Sequence, residues 1–175
     1  MLYFEFKGEF GPDVKSLEGS TLNISATHFT NQILIQIRAS GEMDSTYEVT
    51  QRGIRPMEQI FSRPIAGQNG VLEENEEEEE EFETMRDHLS DYNVIVRLGD
   101  SNDAKIPVIC TQIANLYQTV ILPQSAPVLR GDNFSGVNLL ITLNSKMWRQ
   151  DENDSNVDFA KLVFLLKSIK EMYVK

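Results

Sequence analysis

The sequence holds one cysteine, two histidines and one tryptophan in 175 residues. A single thiol excludes an internal disulfide framework, so the fold has to stand without covalent staples. A chain of this length can do so, since it buries roughly 70% of the surface its unfolded form exposes. Cys-x-x-Cys pairs, a His-x-x-x-His spacing and an alternating-aspartate calcium loop are all missing, and with them the common metal-ligand patterns. No glycine stretch runs into Gly-Lys-Ser or Gly-Lys-Thr, so no phosphate cradle is legible either. No apolar run approaches the ~20 residues that span a bilayer. The opening residues MLYFEFKGEF lack the basic-then-apolar order of a secretory signal. These absences predict a protein of the cytoplasm and nucleus, with no membrane partner, metal or cofactor.

Basic clusters are missing as well. The net charge is −11, but Glu73, Glu74, Glu76 to Glu81 and Glu83 supply nine of the 27 acidic residues. The remaining 18 acidic residues nearly balance the 16 basic ones. A near-neutral body without a lysine- or arginine-rich patch argues against nucleic acid as a partner. The glutamate tract admits two functions: a solvated insertion, or a binder of basic proteins such as histones. Like charges at that density repel and bury nothing, so disorder is expected over about 66–81, inside one domain spanning 1–175.

What is present is periodicity. Leu2 to Phe6, Thr21 to Ala26 and Gln32 to Arg38 alternate apolar and polar residues, as half-buried strands do. Gly41-Glu42-Met43-Asp44 reads as a hairpin turn into a further strand, Ser45 to Val49. The pattern fails from Gln51 to Tyr92, apart from a short helical stretch at Phe82 to Leu89, and resumes with a strand at Asn93 to Leu98. Pro107 suits the first turn of a helix, where a missing N–H does no harm. Ile109, Ile113, Leu116, Tyr117 and Val120 then share one apolar face up to Pro123 and Pro127. Val137 to Leu143 reads as a buried strand. Ser155 and Asp158 resemble a capping box opening a last helix that runs to Tyr173. Its stripe is Phe159, Leu162, Val163, Leu166, Ile169 and Tyr173, while Leu165 and Met172 lie outside it, as a second partner surface would require. The order β-β-β-β-insertion-β-α-β-α defines an α+β protein with a mainly antiparallel sheet and two principal helices.

Chemistry is hard to find. A nucleophilic site needs cysteine or serine beside histidine and a carboxylate. Cys110 falls within an apolar helix pattern, as a buried hydrophobe does, and His28 and His88 lie on a strand end and beside the acidic insertion. Arg130-Gly131-Asp132 matches an integrin-binding tripeptide, but Gly131 serves equally as a turn before the next strand. No catalytic residue is assigned, and the sequence reads as a protein that acts by binding proteins.

One family resemblance stands out. Thr21-Leu22-Asn23-Ile24-Ser25-Ala26-Thr27-His28-Phe29-Thr30-Asn31-Gln32-Ile33-Leu34-Ile35-Gln36-Ile37, followed by Gly41-Glu42-Met43, resembles the proteasome assembly chaperone 3 family. Val94 to Asp100, Pro107 with the helix behind it, Val137 to Leu143 and the final helix fall in the family's order. The Gln51–Tyr92 insertion and the Gln124–Gly136 segment depart from the shorter animal relatives and point to a fungal member. The resemblance implies a non-enzymatic chaperone of the 20S proteasome α-ring. It implies a heterodimer with a related fourth chaperone, docking on the fifth α-type subunit and leaving as β subunits arrive. It also implies an antiparallel sheet with helices whose core is shared with the partner, in the manner of a β-sandwich. Sheet-face logic alone then selects Phe29, Ile33, Ile35, Ile37, Tyr47 and Val49 for the partner interface.

Overall fold

A computed structural model describes residues 1–11, 14, 17–52, 91–123, 138–149 and 155–174, with the backbone alone at Ser155. Six strands form one sheet: β1 (Leu2–Glu9), β2 (Thr21–His28), β3 (Gln32–Ala39), β4 (Ser45–Gln51), β5 (Tyr92–Leu98) and β6 (Asn138–Leu143). The helices are α1 (Lys105–Leu116), which continues as a π-helical turn over Tyr117–Ile121, the short α2 (Lys146–Arg149) and α3 (Ser155–Met172). The α+β class and the mainly antiparallel sheet therefore hold. The glutamate tract, the Phe82–Leu89 stretch, His88, the 124–137 segment with Arg130-Gly131-Asp132, and the Ser155 side chain all lie outside the described residues.

The strand order is β1-β2-β3-β6-β4-β5, which corrects the expected hairpin between β3 and β4. β6 lies between them, parallel to β3 with Ile35 opposite Ile141, and antiparallel to β4 with Tyr47 opposite Ile141. The physical reason is burial. Leu139, Ile141 and Leu143 of β6 are all core residues, and a central position covers both edges of the strand. The 40–44 segment thus crosses the end of β6. Ser40 and Gly41 turn it with positive φ of 52° and 81°. Gly99, at φ 114°, ends β5 against β4, where a Cβ would stand 2.6 Å from Ser45 Oγ.

The register separates two sheet faces. Phe4, Phe6, Ile24, Ala26, Ile33, Ile35, Ile37, Leu139, Ile141, Tyr47 and Val49 line one face and form the core with the helices. α1 contributes Ile106, Ile109, Cys110, Ile113 and Ala114, and Tyr117 follows in the π-helical turn. The start of α1 is held by Asp103, whose Oδ1 accepts the amide protons of Lys105 at 2.9 Å and Ile106 at 3.1 Å. α2, absent from the periodicity reading, buries Met147 and Trp148. It is tied to the sheet by Asp44, which accepts from the Ser145 backbone N–H at 2.7 Å and the Ser145 hydroxyl at 2.8 Å.

α3 is rotated from its expected setting. The buried side carries Lys161, Leu165, Ser168, Ile169 and Met172, while Phe159 is 68% exposed and Leu162, Val163 and Leu166 are half-buried. Leu165 and Met172, expected on a second surface, are core residues; of the expected core stripe, Ile169 is core, Leu162, Leu166 and Tyr173 pack at its edge, and Phe159 and Val163 face outward. Lys161 is the reason sequence logic fails here. Its side chain is wholly buried, with Nζ donating to the Met147 carbonyl at 2.9 Å.

Candidate protein-binding faces

Among the described residues, the candidates for catalysis, Cys110 and His28, are built into the core instead. Burial pushes the Cys110 thiol well above its usual range, and the Asp103 charge adds to this, so the thiol stays protonated. His28 is held down to about 4 by burial. Its Nε2 lies 2.6 Å from the Tyr173 hydroxyl, which lies 2.9 Å from the Tyr117 hydroxyl, and Phe4 packs edge-on to the imidazole. This chain of polar atoms ties β2, the π-helical turn and the end of α3 together. Among the described residues, no group of three or more potential ligands is placed to hold a metal ion, and no helix is long and apolar enough to cross a membrane.

Of the six residues expected at a partner interface, Ile33, Ile35, Ile37, Tyr47 and Val49 are 0–1% exposed beneath the helices. This corrects the sheet-face choice. Alternation shows that a strand has two faces but does not say which one the chain's own helices cover, and they cover the isoleucine face. Phe29 follows β2 and is 48% exposed, so it alone of the six is available to a partner.

The opposite sheet face is left open by the described helices. Its middle row, read across the register, is Tyr3, Thr27, Leu34, Leu140, Glu48 and Ile95. Leu34 and Leu140 are half-buried side by side, and Tyr3 and Ile95 are exposed at the two edge strands. The next row is Glu5, Ser25, Gln36, Thr142 and Thr46. There Ser25 donates to Gln36 at 3.3 Å, and the Thr46 and Thr142 hydroxyls meet at 3.2 Å. Arg38 donates to Gln36 at 2.8 Å, and Arg97 forks onto Glu48, with Nε at 2.7 Å. Several polar groups of this face thus pair within the sheet, the buried Asn23 Oδ1 being an exception. An apolar centre in a partly self-paired polar surround can be desolvated by a partner at reduced cost. No sequence signal marks Leu34 or Leu140 as exposed, because each sits in a run of aliphatic residues.

Such a molecule, with Cys110 and His28 locked in the core and an open, partly apolar sheet face, has the features of a protein-binding module. The chain matches, over residues 1–170, the family described as 20S proteasome chaperone assembly proteins 3 and 4, and it belongs to that family. Proteasome chaperone 3 of Saccharomyces cerevisiae is 48% identical to it over 183 aligned positions, with all of both chains covered. A chain in the crystal structure of a novel chaperone complex for yeast 20S proteasome assembly is also similar. It is 44% identical, with a TM-score of 0.65 and 99% of each chain covered. The family's role, assembly chaperoning, is non-enzymatic.

Proposed function

We propose that this chain promotes assembly of the 20S proteasome α-ring as one half of a heterodimer with a related fourth chaperone. The pair binds an α-type subunit, the fifth of the ring, in the cytoplasm and nucleus. Membership of the assembly-chaperone family supports the activity, and the similar chain in a chaperone complex supports a chaperone partner. The observation that carries the pairing is the open sheet face. The helices cover the isoleucine face completely, and the Tyr3–Leu34–Leu140–Ile95 row remains for a second sheet. A step-specific chaperone needs a complementary, dissociable surface, and an apolar centre with a hydrogen-bonded polar surround provides one.

The test is co-expression of the chain with the partner chaperone and measurement of their complex by size exclusion. Leu34→Glu and Leu140→Glu place a charge in the middle of the proposed contact, while each side chain already borders solvent. Loss of the complex, with the folded circular-dichroism spectrum intact, supports this face. Unchanged pairing in both variants removes it.

A further inference from the structure

α3 presents apolar side chains on two sides, the larger set in the core and a smaller one facing outward. The core side includes Lys161 and Ser168 among Leu165, Ile169 and Met172. Burying a lysine is costly, and the Lys161 ammonium is met by the Met147 carbonyl at 2.9 Å and the Asp158 carboxylate at 3.7 Å. The outer side carries exposed Phe159 and half-buried Val163, with Leu166 at its border with the core, one helical ridge at spacings of four and three. Phe159 is 68% exposed, which is unusual for a phenylalanine in mid-helix. The Lys105–Asp158 ion pair joins α1 to α3 at 2.8 Å.

Charge specifies the rest. One turn beyond Val163 and Leu166, the same outer side carries Lys167 and Lys170, both exposed and neither paired with a described carboxylate. A second copy of this chain is a poor occupant. Antiparallel two-fold packing of α3 sets those lysines against Asn156 and Phe159, with Asp158 already engaged by Lys105. Parallel packing sets lysine on lysine. The sheet face is at the far side of the molecule, so one partner seated there leaves this ridge uncovered.

We propose that the outer face of α3, the Phe159–Val163–Leu166 ridge running into Lys167 and Lys170, docks a second and different protein whose surface sets apolar side chains beside carboxylates. This rests on the assembly-chaperone function proposed above, in which the α-type subunit is that second protein. The two partners then occupy opposite sides of the chain, so the subunit can be taken up and released without opening the chaperone pair.

The test titrates the intact chaperone pair with purified α-type 20S subunits at low and high salt. Phe159→Ser with Val163→Ser removes the ridge at an exposed and a half-buried position outside the core and is expected to weaken subunit binding by about tenfold, with chaperone pairing unchanged. Lys167→Glu with Lys170→Glu is expected to weaken binding severalfold and to abolish the weakening by salt that the parent shows. Subunit affinity unchanged in both variants overturns the proposal. If the parent pair binds no α-type subunit, the proposed function fails, and a photo-crosslinking residue at position 163 in cells judges the face by itself. An acceptor peptide from another protein, with apolar and acidic residues together and a yield lost in Lys167→Glu with Lys170→Glu, upholds it. An acceptor in a second copy of this chain, or no acceptor, overturns it.

Discussion

The His28 imidazole and the Tyr173 hydroxyl meet at 2.6 Å across 145 positions of sequence, joining the end of β2 to the turn that follows α3. Tyr117 adds the third member at 2.9 Å, and its side chain is wholly buried. Burial raises the Tyr117 phenol well above its ordinary range, and Tyr173 next to it reinforces the shift, so the network works with neutral hydroxyls.

Tyr173→Phe removes the central hydroxyl and leaves two polar groups without their partner in the core. The cost of an unsatisfied buried group is about 1–3 kcal/mol. For a chain of this size that lowers Tm by about 2–4 °C per kcal/mol. Thermal unfolding followed by circular dichroism checks it, and a Tm equal to the parent's shows the hydroxyl to be dispensable.

Stability is expected to depend on pH through His28. Its folded value is about 4 against an ordinary 6.5, because burial disfavours the imidazolium. Between those two values the unfolded chain binds a proton that the folded chain refuses. The contribution is therefore complete above pH 6.5 and is lost progressively as the pH falls toward 4, on the order of 3 kcal/mol in all. Carboxylates titrate in part of the same window, so the measurement is the difference between the parent and His28→Gln. The parent should lose more stability than the variant between neutral pH and about pH 4.5.

Asp44 clamps α2 to the sheet. Burial pushes its carboxyl up, but the Ser145 amide and hydroxyl and the Ser45 hydroxyl outweigh this, with the Arg149 charge, and leave it below its ordinary 3.8. Its stabilising effect is thus present above that value and is lost as the pH falls below it. Asp44→Ala leaves the Ser145 N–H and hydroxyl without their acceptor and is expected to cost about 1.5–3 kcal/mol, the range for hydrogen bonds to a charged group. Denaturant unfolding measures it.

Lys161 separates packing from charge. Lys161→Met keeps the stem volume and removes the polar head, so stability is expected to stay within about 1 kcal/mol of the parent or to rise. Lys161→Ala leaves a cavity beneath α3 and should cost about 2–4 kcal/mol. Equal losses in the two variants would show that the contacts of the Lys161 ammonium, and not its stem, hold the helix.

Much of the fold was legible in one dimension because strands and helices announce themselves by period. Ile33, Ile35 and Ile37 fix β3, and Ile109, Ile113 and Tyr117 fix the buried side of α1, since alternation and a 3.6-residue repeat are local properties of the backbone. The family was legible for a related reason: the Thr21–Ile37 block and the Pro107 helix carry core residues, whose spacing the fold constrains. Asp103 as the holder of α1 is open to the same reading, an aspartate two residues ahead of the first turn.

Three decisions belonged to the tertiary structure. Which strand neighbours β3 depends on where β6 gains most by burial of both its edges, and no local pattern encodes that. Which face of the sheet is core depends on which side the helices pack, so the same alternation that located Ile33, Ile35 and Ile37 could not tell a binding surface from an interior. Which side of α3 turns inward follows from the packing of Leu165, Ile169 and Met172 in the core, with the Met147 carbonyl receiving Lys161 Nζ. A lysine reads as surface in sequence. It becomes core only when a distant segment supplies the acceptor, and that choice leaves Phe159 and Val163 facing outward.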